Sequence, residues 1–185
     1  MSLMLCVVGF DIRGDIKLFD FGLARELPTM KQDEGSGCFM MTLLAGTRRY
    51  MAPEVGLGKP YNLKADVYSF GILLWHISSL LVPFDTFDVD DHKYAVWKCG
   101  VRPKLLKNWP CNVCELMICC WGADWRDRPK FSEVCEVLRE EIYRIEGNTT
   151  HFMNRSNELK CRSEKSFGDI SQHGSSYSSN GFSIL

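Results

Sequence analysis

The sequence has no excess charge of either sign. It holds 22 Lys+Arg against 23 Asp+Glu, a net charge of -1, so there is no electrostatic case for binding nucleic acid or an acidic membrane surface. It also lacks an apolar run of bilayer length. The most hydrophobic stretch, residues 64–82, is already short for a span and is interrupted by Asp66, Ser69, His76, Ser78 and Ser79. The apolar start, Met1-Ser2-Leu3-Met4-Leu5-Cys6-Val7-Val8, has neither the basic flank nor the cleavage site of a secretory signal. No internal repeat is visible. The histidines, His76, His92, His151 and His173, show no metal-ligand spacing. Cysteine is not scarce: nine stand at positions 6, 38, 99, 111, 114, 119, 120, 135 and 161. An odd number is awkward for a closed disulfide set. Most of them fall in apolar periodic segments, where the thiol behaves as a small buried hydrophobe. These features predict a reduced, intracellular protein of the cytoplasm. The sequons at Asn148 and Asn154 carry little meaning without secretion. At 185 residues, 45% hydrophobic and 24% charged, the composition excludes wholesale disorder, collagen and a membrane bundle. The length suffices for one domain with a core.

Residues 3–20 read as a β-hairpin. Leu3 to Phe10 is a short apolar run, and Asp11-Ile12-Arg13-Gly14-Asp15 carries turn chemistry, with Gly14 free to take a positive φ. Residues 21–62 hold no period and many Gly and Pro, as functional or disordered loops do. The 64–82 segment is apolar on every side, which predicts a helix buried all round. A shorter helix is expected over 91–99. Val113, Leu116, Met117, Cys120 and Trp121 have helical spacing over 112–121. Phe131, Val134, Leu138, Ile142 and Ile145 do the same over 131–146, with Ser132 as the expected N-cap. Beyond Gly147 the chain turns rich in Ser, Asn and Gly, and 147–185 reads as a disordered tail.

Four constellations carry chemistry. Ile16-Lys17-Leu18-Phe19-Asp20-Phe21-Gly22 ends a strand on a carboxylate, which presents oxygen ligands to a hard cation, while Gly22 allows a sharp turn. Alone, this is equally a simple turn. Gly46-Thr47-Arg48-Arg49-Tyr50-Met51-Ala52-Pro53-Glu54 follows a long loop, then Asp66-Val67-Tyr68-Ser69-Phe70-Gly71, then Cys120-Trp121 with Asp127-Arg128-Pro129. Read singly, Glu54 is a helix N-terminal carboxylate, Arg128 a solvated charge, and Asp66 a partner for the helix dipole.

Taken in order and at these spacings, the four resemble the C-terminal lobe of a eukaryotic protein kinase, over residues 9–146, with residues 1–8 unmatched. The tyrosine-kinase-like group of serine/threonine kinases is the most similar. The resemblance implies a mainly α fold, a kinase-like C-lobe with a short β-hairpin, truncated from the two-lobed whole. It implies ATP, Mg²⁺ and protein Ser/Thr substrates. By position, Asp20 matches the magnesium-binding carboxylate, with Phe21 and Gly22 completing the nucleotide-side motif. Thr47 and Tyr50 match the substrate-binding loop. Glu54 and Arg128 match a buried ion pair, and Asp66 the carboxylate that holds the catalytic loop. Thr29, Ser36 and Thr42 are candidate phosphorylation sites in the activation segment, where phosphate would pair with an Arg; each is equally a plain polar loop residue.

The sequence departs from the family in what it omits. It carries no Gly-rich loop, no strand lysine with its helix glutamate, and no His-Arg-Asp catalytic loop. The base position falls on Ser2 and the second metal ligand on Val7, neither of which can substitute. The expectation is a kinase domain fragment that is inactive by itself and completed by an upstream segment or N-lobe. The alternative is a catalytically dead binding or scaffold module. Asp66 is expected to lack its backbone donors, and the fragment to be poorly soluble. A zinc site at Cys111, Cys114, Cys119 and Cys120 is weaker than core packing, because the second pair is adjacent.

Overall fold

A computed structural model of the chain describes residues 7–19, 21, 22, 24, 37–39 and 46–146. Ser2, Asp20, Thr29, Ser36, Thr42 and the 147–185 tail lie outside the described residues. The described part is mainly helical, with one two-stranded antiparallel sheet.

Strands β1 (Val7–Phe10) and β2 (Ile16–Phe19) pair with Phe10 opposite Ile16. The turn is organised by Asp11, whose carboxylate accepts from the amides of Arg13 at 2.8 Å and Asp15 at 3.0 Å. Those bonds hold its carboxyl below the usual carboxylate range. Gly14 takes φ 84°, as its lack of a Cβ permits. The hairpin turns apolar side chains outward: Phe10, Ile16, Leu18 and Phe19 are all exposed.

The short helix α1 spans Pro53–Gly56, with proline at its first turn, where a missing N–H costs nothing. Helix α2 spans Lys64–Ser79. Its start is capped by Asn62, whose Oδ1 accepts from the Lys64 amide at 3.0 Å. The expected span to residue 82 is too long. Leu80 adopts a left-handed conformation, φ 58°, and the helix stops there. Pro83 explains the stop, since it disfavours helical backbone at Val82 and donates no amide. Burial on every side also fails: Ala65, Val67, Tyr68, Ile72 and Trp75 are buried, but Ile77 and Ser78 are exposed.

Helix α3 (Val89–Asp91) is capped by Asp88, whose carboxylate accepts from Asp91 N at 2.8 Å, and runs directly into a π-helical segment, His92–Lys98. The expected 91–99 helix is therefore present but underwound, with more residues per turn than an α-helix. Helix α4 spans Cys111–Cys120 and α5 spans Phe131–Ile145. Ser132 is not the cap of α5. Lys130 occupies that position, and Glu133 reaches back to accept from its amide at 2.5 Å.

One core joins Met51, Val55, Tyr68, Ile72, Trp97 and Met117; a second joins Val67, Leu116, Cys120 and Val134. Of the described cysteines, only Cys38 and Cys120 are buried, whereas Cys99, Cys111 and Cys135 are exposed, so the buried-hydrophobe reading holds for a minority. Gly71 lets α2 approach α4. A Cβ there would sit 2.7 Å from Cys120 Cβ and 3.4 Å from the Trp121 amide nitrogen. Gly71→Ala should therefore lower stability by up to about 2 kcal/mol, because overpacking of about 1–3 kcal/mol outweighs a helix-propensity gain of about 1 kcal/mol. Urea denaturation of the two proteins reads the sign directly; a stabilised variant would contradict this packing.

Candidate functional site

Arg128 enters the core from the turn after α4, and its side chain is completely buried. A guanidinium cannot be left there unpaired. Glu54, on α1, meets it with both carboxylate oxygens, at 2.6 and 2.8 Å, across 74 residues of chain. This is the bidentate geometry that planar guanidinium favours. The remaining contacts are backbone: Arg128 Nε donates to Gly122 O at 2.9 Å and Nη1 to Lys64 O at 3.1 Å. Lys64 returns the contact by donating from Nζ to the Arg128 carbonyl.

Tyr68 of α2 lies between two guanidinium groups, with Arg128 5.1 Å and Arg102 5.0 Å from its ring centroid. Arg102 is itself fixed by donating to Trp121 O at 3.0 Å and Val96 O at 3.1 Å. The Tyr68 hydroxyl has no hydrogen-bond partner among the described residues, and burial pushes its pKa up to about 12.

Above this layer runs the Arg48–Tyr50 turn, a single 3₁₀ turn preceded by exposed Thr47. Ser69 Oγ donates to the Tyr50 carbonyl at 2.8 Å, and the Tyr50 hydroxyl lies 2.7 Å from His76 Nδ1. Arg48 donates to the Phe87 carbonyl at 3.3 Å, and Arg49 pairs with Asp85 at 3.5 Å. Beside the turn, His92 is buried edge-on against Phe84 and Trp97, with neither ring nitrogen hydrogen-bonded among the described residues. Burial, with repulsion from Arg48, Arg49 and Arg102, pushes its pKa down to about 4.

A carboxylate and an arginine this far apart in sequence, paired inside a helical core behind a Gly-Thr turn, match the arrangement that the motifs implied. The profile of the protein tyrosine and serine/threonine kinase family matches residues 6–138. The chain belongs to this family. Serine/threonine-protein kinase STY46 of Arabidopsis thaliana is 39% identical over 68% of this chain and 20% of its own length. STY17 of the same plant is 35% identical over 74% of this chain and 22% of its own. Human mitogen-activated protein kinase kinase kinase 7 is 34% identical over 66% of this chain and 19% of its own. The chain thus spans about a fifth of the length of these curated relatives.

Within this kinase domain the structure brings Glu54, Arg128, Asp66, Tyr50 and Thr47 around the N-terminal half of α2 and the turn above it. Asp66 is buried and is not without a partner. Phe21 and Gly22 follow the hairpin and are exposed. Asp20 is outside the described residues, and no cluster of three His, Cys, Asp or Glu able to hold a metal occurs among those described. Cys120 is an inert core thiol, raised to about 12 by burial. No helix among the described residues is long and apolar enough to cross a membrane. Sequence reasoning missed Tyr68 as a slot between Arg102 and Arg128. His76 is half-buried and bonded to the turn, a contact that no spacing in the sequence announces.

Two outcomes follow from this geometry. Glu54→Ala should cost about 3–5 kcal/mol, because Arg128 would be left buried and uncompensated, while Glu54→Leu with Arg128→Met should cost less than Glu54→Ala alone; chemical denaturation of the single and double variants measures both. For His92, the folded ring stays neutral down to about pH 4, whereas the unfolded chain takes up a proton near 6.5. The unfolded state binds more protons between those values, so this residue's contribution falls as pH drops from about 6.5 to about 4. His92→Phe should flatten that part of the stability–pH profile; parallel profiles would remove His92 as its cause.

Proposed function

We propose that the chain supplies the C-terminal-lobe part of a serine/threonine kinase of the tyrosine-kinase-like group, with residues 9–146 forming a partial catalytic domain. The activity of the whole is transfer of the ATP γ-phosphoryl group to Ser or Thr hydroxyls of protein substrates, with Mg²⁺. The observation that carries this reading is the buried Glu54–Arg128 pair, at 2.6 and 2.8 Å, which fastens the end of the activation segment to the turn before α5. Beside that pair, Thr47 and Tyr50 match the substrate-binding loop, and Asp20 would hold the magnesium that neutralises the nucleotide phosphates. Glu54, Arg128 and Asp66 do no chemistry; they hold the substrate-side turn on α2 and keep water out of the layer beneath it.

By itself this chain is inactive in this reading. Ser2 at the base position is a poor acceptor for a hydroxyl proton, and no nucleotide-clamping lysine is among the 185 residues. The outward-facing Phe10, Ile16 and Phe19 of the hairpin support a domain that needs further cover. Purified protein given Mg-ATP and a generic Ser-containing peptide should show no phosphate incorporation above an Asp20→Ala variant; incorporation above that level would sink the proposal of inactivity. Saturable binding of a protein partner without nucleotide dependence would instead favour a scaffold.

A further inference from the structure

Helix α2 grips the Arg48–Tyr50 turn at two points. Ser69 Oγ holds the Tyr50 carbonyl at 2.8 Å, and His76 Nδ1 lies 2.7 Å from the Tyr50 hydroxyl. From Ser69 to His76 is two helical turns, a rise of about 10.5 Å. Both anchors therefore fall on one face of α2, and the Tyr50 side chain lies along that face between them. Its ring is nearly parallel to the imidazole, at 24° and 6.1 Å between centroids. Burial raises the pKa of the phenol, so it stays protonated, and it shares one hydrogen bond with His76 Nδ1, as donor or acceptor according to the imidazole tautomer. No carboxylate follows Asp66 on α2, so no other charged acceptor on that helix can take this bond.

The rest of the turn hangs from Tyr50. Its amide donates to Thr47 O at 3.1 Å, and the Met51 amide to Arg48 O at 3.1 Å. The side-chain contacts of Arg48 and Arg49 are longer, 3.3 and 3.5 Å, at the weak end of the range. We propose that His76 is a positioning residue: through Tyr50 it sets where Thr47, Arg48 and Arg49 stand. That an incoming peptide uses this turn rests on the function proposed above; the tether itself does not.

The test uses the full 185-residue chain. Amide hydrogen exchange is followed at Tyr50 and Met51 in wild type, His76→Phe, which keeps a ring but no hydrogen-bonding atom, and His76→Gln, which keeps both a donor and an acceptor. The Phe variant should exchange about two- to tenfold faster at both amides, the loss expected of one net hydrogen bond, with the α5 amides unchanged. The Gln variant should stay within about twofold of wild type on the same scale. Tyr50→Phe should reproduce the His76→Phe effect, and combining the two should add nothing further. Unchanged exchange in His76→Phe, a Gln variant as fast as the Phe variant, or additive effects in the double variant would overturn the proposal. If His76→Phe loosens α5 as well, Tyr50→Phe against the Gln variant decides it by the same criterion. A peptide library with a fixed central serine is titrated in parallel. Expected exchange with no peptide binding to wild type leaves the tether standing and removes the substrate-loop reading. Flat exchange removes the tether whatever the peptides do.

Discussion

A fully buried guanidinium sets the terms for everything around it. Arg128 has to be neutralised, and each of its nitrogens has to find an acceptor, or the folded state carries a penalty of several kcal/mol. The acceptors come from three separate places: Glu54 on α1, the Lys64 carbonyl at the start of α2, and the Gly122 carbonyl after α4. Satisfying one side chain thus fixes the relative placement of three elements. A hydrophobic pair of the same volume would bury as well, but it would not specify direction; the bidentate fork tolerates only one orientation of α1 against the turn.

That placement decides what α2 can do. With its first turn tied to Arg128, Tyr68 is held under the guanidinium and also meets Arg102 from the other side. The ring stacks favourably on both cations, and the cost is a hydroxyl with no partner among the described residues. One turn further, Gly71 admits Cys120, so α4 closes on α2 without a gap. The opposite face of the helix is thereby left to Ser69 and His76, and these are the residues that hold the Arg48–Tyr50 turn.

The parts legible in sequence were those written in local or periodic code. Asp11 and Gly14 announced the hairpin turn, and the apolar spacing of α4 and α5 placed both helices within a residue or two. Glu54 and Arg128 were legible only as members of an ordered set, since nothing in Pro53-Glu54 or Arg128-Pro129 alone reveals a partner 74 residues away. The end of α2 was misread because the apolar run continues through Leu80, Leu81 and Val82 while backbone geometry before Pro83 ends the helix. Ser132 was misread because a cap can be made by a glutamate reaching back as well as by a hydroxyl reaching forward. Arg102 and His76 gave no signal, as each acts through a contact that only the fold creates.

The two ends of the domain are built to different standards, and the difference has a physical cause. The Arg48–Tyr50 turn rests on α2, whose position is fixed by a buried charge and by two hydrophobic clusters. The hairpin that leads to Asp20 rests on four residue pairs and turns Phe10, Ile16, Leu18 and Phe19 toward solvent. An isolated two-stranded ribbon is marginal in water unless another layer covers its apolar face. The hairpin therefore gains a fixed position only when a further layer packs on those apolar side chains. The Arg48–Tyr50 turn thus takes its geometry from the core beneath it, whereas the hairpin's depends on cover for Phe10, Ile16, Leu18 and Phe19.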